Sequence, residues 1–420
     1  MLMASALPEK PRLRPSVSAV PDEQDQRFVW LFDQARLSDR AIRIPLELVP
    51  IVEMLDGSRS LRDLQLELMR FTGGTLVPLE WLENITRHLD EALLLDGGRF
   101  REHFASIQVR PPACLGVYPP EPDRAREHLR QQFLRPGGPG IDPETLLRNG
   151  THTHALRGAL IPHIDYHRGG HSYAWAYKEL IEHAQADIFV ILGTAHYSGH
   201  RFTITQRDFE TPLGKVVTDR DYVRLITENY GDGLFDDEPA HWPEHSIELQ
   251  VLFLQYCFPD RPFRIVPIVV GSFHDCIVQE RLPEEMPDIA QMLVALQTAE
   301  RESGARVFYI SSGDLAHIGP KFGDPSPVHT EWLEESRHRD QALLAKMAAS
   351  DRHGFFRTLL EERDRRRICG FPPTYTLMSV LEPNRGQLLH YEQYVAPNGF
   401  ESVSFASLVF YKDHILIAER

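Results

Sequence analysis

The first hundred residues carry apolar positions at helical spacing. Leu46, Val49, Val52 and Leu55 recur at three-residue steps until Asp56-Gly57-Ser58 breaks the run. Ser60 is placed to cap a second helix carrying Leu61, Leu64 and Leu68, and a third follows Pro78 with Leu82, Ile85, Leu89 and Leu93 on one face. Asp96-Gly97-Gly98 is a tight-turn signal, with Arg99-Phe100 resuming beyond it. Three short helices and a terminal hairpin predict a small winged-helix domain over residues 28–105, preceded by a flexible segment, residues 1–27, that is rich in proline.

Beyond Arg157 short β-rich runs alternate with helical segments: Ala159 to Pro162, Ile188 to Leu192, Ile265 to Val270 and Val307 to Ile310. That alternation predicts an α/β domain whose central sheet has helices on both faces. Two further strands are expected at Gln387 to Val395 and Ser402 to Tyr411. A proline-rich passage from Pro111 to Pro122 leads into a helical stretch, Asp123 to Leu134, and reads either as a linker or as the start of this second domain.

Composition narrows the function classes. The chain has 420 residues, 42% hydrophobic and 25% charged, which fits a globular protein of two or three domains. Lys+Arg 45 against Asp+Glu 60 gives a net charge of -15, so neither nucleic acid nor an anionic membrane is expected as a main partner. The four cysteines, Cys114, Cys257, Cys276 and Cys369, show no close pairing and read as free thiols. No signal peptide or membrane-spanning stretch is visible, and a cytoplasmic location is expected.

Three strand candidates run directly into chemistry-bearing residues. Leu160-Ile161-Pro162 delivers His163, Ile191-Leu192 leads to His196, and Tyr309-Ile310 leads to Asp314 and His317. Ligands of open α/β sheets gather beyond the carboxyl ends of the strands. Imidazole and thiolate hold zinc, copper and iron, so His163, His196 and the lone Cys369 form a sensible donor set. Packing alone offers another account, with loop histidines bonded to carbonyls and Cys369 as a small buried apolar residue. Glu244, His245 and Glu248 begin a helical stretch, either as acid/base or substrate-binding groups or as acids favoured by the helix dipole. His152, His154, His167, His171 and His200 are expected to face solvent. No G-x-S-x-G elbow, Walker A loop or G-x-G-x-x-G run occurs.

These motifs carry a resemblance. PHIDYHRGG from Pro162, ILGTAHYSGH from Ile191, TPLG from Thr211, EHSIELQ from Glu244, SSGDLAHIG from Ser311, ICGFPP from Ile368 and SVSFAS from Ser402 resemble, in order and spacing, the MEMO family. The likeness spans about 310 residues, from near Val109 to Arg420, and draws the proline-rich passage into the second domain. It implies a fold like that of LigB-type class III extradiol dioxygenases. It also implies His163, His196 and Cys369 as metal ligands and Asp314 and His317 as the catalytic pair, beside which Glu244, His245 and Asp165 are read as substrate-binding groups. Cys369 stands where the dioxygenase relatives have a carboxylate, which leaves iron, copper or zinc as the expected metal and simple ring cleavage in doubt. Ile164-Asp165 stands where better-known members have Ala-Gly, with Asp165 expected to orient His163 or touch substrate. The resemblance implies a non-haem metal oxidoreductase acting with a radical SAM enzyme and an AMMECR-type protein, or a scaffold holding peptides; a zinc hydrolase with His317 as base is a third reading. The stretch from Ile51, IVEMLDGSRSLRDL, resembles PqqD-like domains that bind peptide partners.

Overall fold

The structure, a computed structural model, describes residues 7–74, 76–149, 156–381 and 384–412. It divides into two compact units, Met1–Gln108 and Val109–Arg420.

The first unit opens with an antiparallel sheet ordered β1 (Val17–Pro21), β2 (Phe28–Asp33) and β3 (Ile42–Pro45). Val29 and Leu31 alternate inward along β2, the period of a half-buried strand. The segment expected to be a flexible leader therefore contains a strand, because Val17 to Pro21 finds a full register along β2. Helices α1 (Val49–Glu53), α2 (Leu61–Phe71) and α3 (Leu79–Glu91) follow where the apolar spacing places them. Ser60 and Asp63 cap α2 reciprocally, the Asp63 N–H donating to Ser60 Oγ at 3.2 Å and the Ser60 N–H to Asp63 Oδ2 at 2.9 Å. Gly97, with φ -119 and ψ 178, is extended and starts helix α4 (Gly98–Ser106) rather than turning a hairpin. Val29, Leu31, Leu64, Leu68, Leu82 and Leu89 share one core.

The second unit begins with β4 (Val109–Arg110), α5 (Pro122–Leu134), α6 (Pro143–Asn149), β5 (Leu156–Ile161), α7 (Tyr166–His183) and β6 (Ile188–Thr194). It continues through β7 (Phe202–Ile204), β8 (Asp208–Thr211), β9 (Gly214–Val216), α8 (Arg220–Tyr230), α9 (His245–Cys257), β10 (Arg264–Val270), α10 (His274–Gln279) and α11 (Pro287–Ser303). The last elements are β11 (Val307–Ser312), β12 (His317–Ile318), α12 (Thr330–Ala348), α13 (Arg352–Glu362), α14 (Phe371–Val380), β13 (Asn384–Val395) and β14 (Ser402–Lys412). The main sheet runs β12-β14-β5-β11-β6-β10-β7, with β13 against β14. Its centre, β5-β11-β6-β10, is parallel and its flanks are antiparallel.

Side chains alternate between two cores along these strands. Val190 and Leu192 of β6 pack with α8, α11, α13 and α14, whereas Phe189 and Ile191 pack with α5, α7 and α9. Burial on both faces explains the near-continuous apolar runs. Among the described residues no helix is long and apolar enough to cross a membrane.

Candidate metal centre

Register brings the chemistry together. Ile161 of β5 lies opposite Ser312 of β11, and Ser312 lies opposite Gly193 of β6, so three parallel strands end almost flush. The next residues of each strand are those the sequence singled out: His163, His196 and Asp314. Cys369 arrives from a separate loop through a close backbone approach. A Cβ on Gly313 would stand 2.4 Å from Gly370 Cα, so only glycines allow this contact. There the Gly370 N–H donates to Asp314 O at 2.9 Å and the Asp314 N–H to Cys369 Sγ at 3.4 Å.

His163 is fixed on both sides of its ring. Nδ1 lies 3.1 Å from Ser312 O, and since a carbonyl only accepts, Nδ1 carries the proton and Nε2 presents a lone pair. That Nε2 faces Cys369 Sγ at 3.4 Å and Asp314 Oδ2 at 3.7 Å. His196, with a side chain about 32% exposed, is held by Glu244, which accepts from its backbone N–H at 2.8 Å and lies 2.9 Å from its Nδ1. Glu244 is itself locked as the N-cap of α9, accepting from the Ser246 N–H at 3.0 Å. His245 follows on that helix, its ring 4.4 Å from His196 and 5.1 Å from His163. Two donor groups result, His163/His196/His245 and His163/Asp314/Cys369, each with ligand atoms within 4.8 Å of one another. His163 belongs to both, whereas His196 and Cys369 fall in different groups.

Burial dominates the electrostatics. It pushes the Asp314 carboxyl up to about 7, against the backbone N–H groups of His163 and Ile164, and drives the Cys369 thiol well above its usual range, with Asp314 reinforcing it. It lowers His163 far below the ordinary histidine value and takes His245 and His317 down to about 4. His196 moves up, because the Glu244 charge and hydrogen bond outweigh its own desolvation. Glu244 falls well below the carboxylate range, since contacts with His196 and His245 overcome burial. The neutral imidazoles of His163 and His245, beside a thiol and a carboxyl whose ionised forms a cation would favour, suit a borderline or soft metal ion.

An open pocket lies over His163, His196, His245 and Asp314, and Cys369 is not among its lining residues. His317 lines it, with Nδ1 3.1 Å from Leu315 O and 3.2 Å from Arg367 O, and the Phe322 ring 5.1 Å away. Those two carbonyls, rather than Asp314, orient His317; Asp314 accepts from the backbone of His163 and Ile164 instead. Asp165 also lines the pocket but pairs with Arg168 at 2.8 Å, and Ser312 does the orienting of His163 expected of Asp165. Glu244 sits behind His196, buried, and does not line the pocket. Sequence reasoning missed Arg168, Lys321 and Glu401 at the wall, of which only Arg168 left a trace, three residues after Asp165. His167 and His200 are exposed as expected, His171 is buried, and His152 and His154 lie outside the described residues. Glu248 holds no pocket position: it is buried against Arg110, Tyr118 and the Ala113 and Cys114 N–H groups.

The sequence has relatives. The profile of the Memo-like protein family matches residues 110–409. A MEMO1 family protein of Aquifex aeolicus is 29% identical over 391 residues, covering 90% of this chain and 95% of the relative. A MEMO1 family protein of Methanopyrus kandleri is 30% identical over 309 residues, covering 72% of this chain and 98% of the relative. One from Pyrobaculum aerophilum is 29% identical over 313 residues, with 73% and 100% covered. With its strand-end histidines, its glycine-packed cysteine loop and this profile match over most of its length, the chain belongs to the MEMO family.

Proposed function

We propose that this protein is a metal-dependent oxidoreductase acting on a small molecule in the cytoplasm. The observation that carries the reading is His163, which belongs both to an imidazole group and to a Cys/Asp group and lines one pocket together with His196, His245, Asp314 and the neutral imidazole of His317. His163, His196 and Cys369 would hold the ion, with His245 and Asp314 completing the two donor groups that share His163. Bound iron or copper supplies one-electron chemistry and open positions for oxygen or substrate. Every other task falls to the chain. His317, with its Nδ1 proton given to carbonyls, accepts a substrate proton at Nε2 and returns it. Arg168 and Asp165 present a donor and an acceptor to a bound molecule, and Phe322 shields the His317 face from water.

The three clustered imidazoles also support a second reading, a zinc hydrolase, because three histidines are a known catalytic zinc set. A third, a peptide-holding scaffold, draws on the separately folded first unit, whose sequence resembles PqqD-like domains. A radical SAM enzyme and an AMMECR-type protein would be companions under any of these readings.

Elemental analysis of protein purified without oxygen tests the proposal, comparing wild type with His163→Ala and Cys369→Ala. Iron or copper near one per chain, lost in both variants together with oxygen uptake, is the expected result. Zinc lost in both moves the assignment to hydrolysis. A folded wild type that takes up no metal when metal is added back would sink both enzyme readings.

A further inference from the structure

A second donor cluster lies elsewhere in the sheet and shares no residue with the first. His171 of α7 meets His390 and Glu392 of β13, with one ligand atom from each within 4.8 Å of the others. His390 and Glu392 are two apart on one strand and so project from the same face. His171 Nε2 lies 2.6 Å from Glu392 Oε2, and His390 Nε2 lies 3.8 Å from the same oxygen.

Local structure is built around this meeting. The β13 register shifts between Leu388 and His390, an irregularity that re-aims the strand and sets His390 opposite Ser407. Ser407 in turn donates to Ser172 O at 2.6 Å, tying α7 to the sheet beside His171. The His390 ring is stacked by Trp175, nearly parallel at 10°, and meets His171 edge-on at 5.2 Å. Trp175 is anchored by its Nε1–H on Gly137 O at 2.8 Å.

Polar groups here outnumber their partners. The His171 side chain is only 4% exposed, and among the described residues Nδ1 of His171 and Nδ1 of His390 are buried without a hydrogen-bond partner. Buried polar atoms without partners are costly, and His390 Nε2, 3.8 Å from Glu392 Oε2, lies beyond hydrogen-bond reach of the carboxylate that His171 already engages. Arg135, the other cation that acts on Glu392, directs Nη1 to Gln132 Oε1 and to the carbonyls of Tyr166 and His167.

We infer that His171, His390 and Glu392 bind a divalent cation of the zinc class, which clamps β13 to α7. Two imidazole nitrogens and one carboxylate oxygen are the donors such an ion takes, and a water completes the set. One ion seated at the two Nε2 atoms that converge on Glu392 would take one nitrogen of each ring and pair with the Glu392 charge, while both Nδ1 atoms keep the surroundings they have.

The test uses the full-length protein, stripped with chelator, reloaded with Zn²⁺ and desalted, with zinc per chain measured for wild type, His390→Ala and Glu392→Gln. Each variant is expected to hold one zinc fewer than wild type. Glu392→Gln keeps the side-chain shape, so it decides the matter should His390→Ala disturb the strand. Loading with Co²⁺ assigns the lost ion. The ligand-field bands should weaken in Glu392→Gln while any thiolate-to-cobalt absorption of the Cys369 centre stays as in wild type. Equal zinc in all three proteins overturns the proposal and leaves His171 and Glu392 as a plain hydrogen-bonded pair. Loss of zinc together with the thiolate band overturns it too, because the ion then came from the first centre.

Discussion

Glu244 does its work without touching the pocket. One carboxylate accepts the His196 backbone N–H, faces its Nδ1 and caps α9, so a single side chain fixes both a candidate ligand and the helix that carries the next imidazole. Partners behind a metal-bound histidine set its ring orientation, and losing them typically costs roughly 10 to 100-fold in metal affinity. Glu244→Gln keeps the shape and removes the charge. Its affinity for the bound metal, measured by competition with a chromophoric chelator, should fall by about that factor; unchanged affinity would show that Glu244 serves α9 alone. Asp364, in the approach to Cys369, invites a different experiment. Burial raises its carboxyl to about 6, although the Ile368 N–H bonds it at 2.8 Å. An acid whose folded-state pKa is raised binds its proton more tightly folded than unfolded, so stability falls as pH rises from about 4 through about 6. Asp364→Asn should therefore stabilise at pH 8 by on the order of 1 to 3 kcal/mol and gain nothing below about pH 4, as denaturant melts at the two pH values would report. An Asp364→Asn gain of equal size at both would refute the linkage. His163, His196, Asp314 and His317 were legible as candidates because each follows a strand, and Cys369 because a thiolate suits the same ions and its ICGFPP motif carries the family resemblance. Arg168, Lys321 and Glu401 were not, since only folding brings such scattered charges to one wall.

Among the elements, α9 shows how a motif's meaning depends on a distant partner. In sequence, Glu248 reads as an acid one turn beyond Glu244. In the structure it is fully buried and paired with Arg110, whose Nε also donates to His241 O at 2.7 Å and Nη2 to Glu244 O at 3.0 Å. The opening segment of the second unit is thus fastened to the start of the helix that positions the imidazoles. Removing one member of a buried pair strands the other charge, at a cost of about 3 to 5 kcal/mol. Glu248→Ala should lower unfolding stability by that order in urea, and Glu248→Gln by less, since the amide still accepts from the Cys114 N–H. A loss below about 1 kcal/mol would mean that water replaces the carboxylate. The loop before α14 has its own tension. Arg363, Asp364 and Arg367 all hold left-handed backbone, with φ of 52, 47 and 54, so the route to Cys369 is strained by about 1 to 2 kcal/mol per residue. Strands buried on both faces were legible as apolar runs. The strands of the first unit and α4 were not, because helical spacing dominates their surroundings and Gly97-Gly98 serves a helix start as well as a turn.

Across the whole molecule, two boundaries drawn from different facts coincide. The compact units divide between Gln108 and Val109, and the family match begins at residue 110. The Methanopyrus and Pyrobaculum relatives are covered over 98% and 100% of their length by only 72% and 73% of this chain. The Aquifex relative, by contrast, matches 90% of it. MEMO-family chains thus exist at about the length of residues 109–420. The two cores of the main sheet and every residue of the candidate centre lie inside the second unit. Residues 109–420 produced alone should unfold in one cooperative step and hold the same metal per chain as the full-length protein. Far-UV circular dichroism during urea titration and elemental analysis on the same sample check both. If the shortened chain folds but loses metal, the first unit takes part in loading or guarding the centre. If it aggregates, the first unit contributes to folding, and the match with the shorter relatives overstates the independence of the second. Equal metal content would leave the first unit a role outside metal binding, and peptide recognition would be the next property to assay.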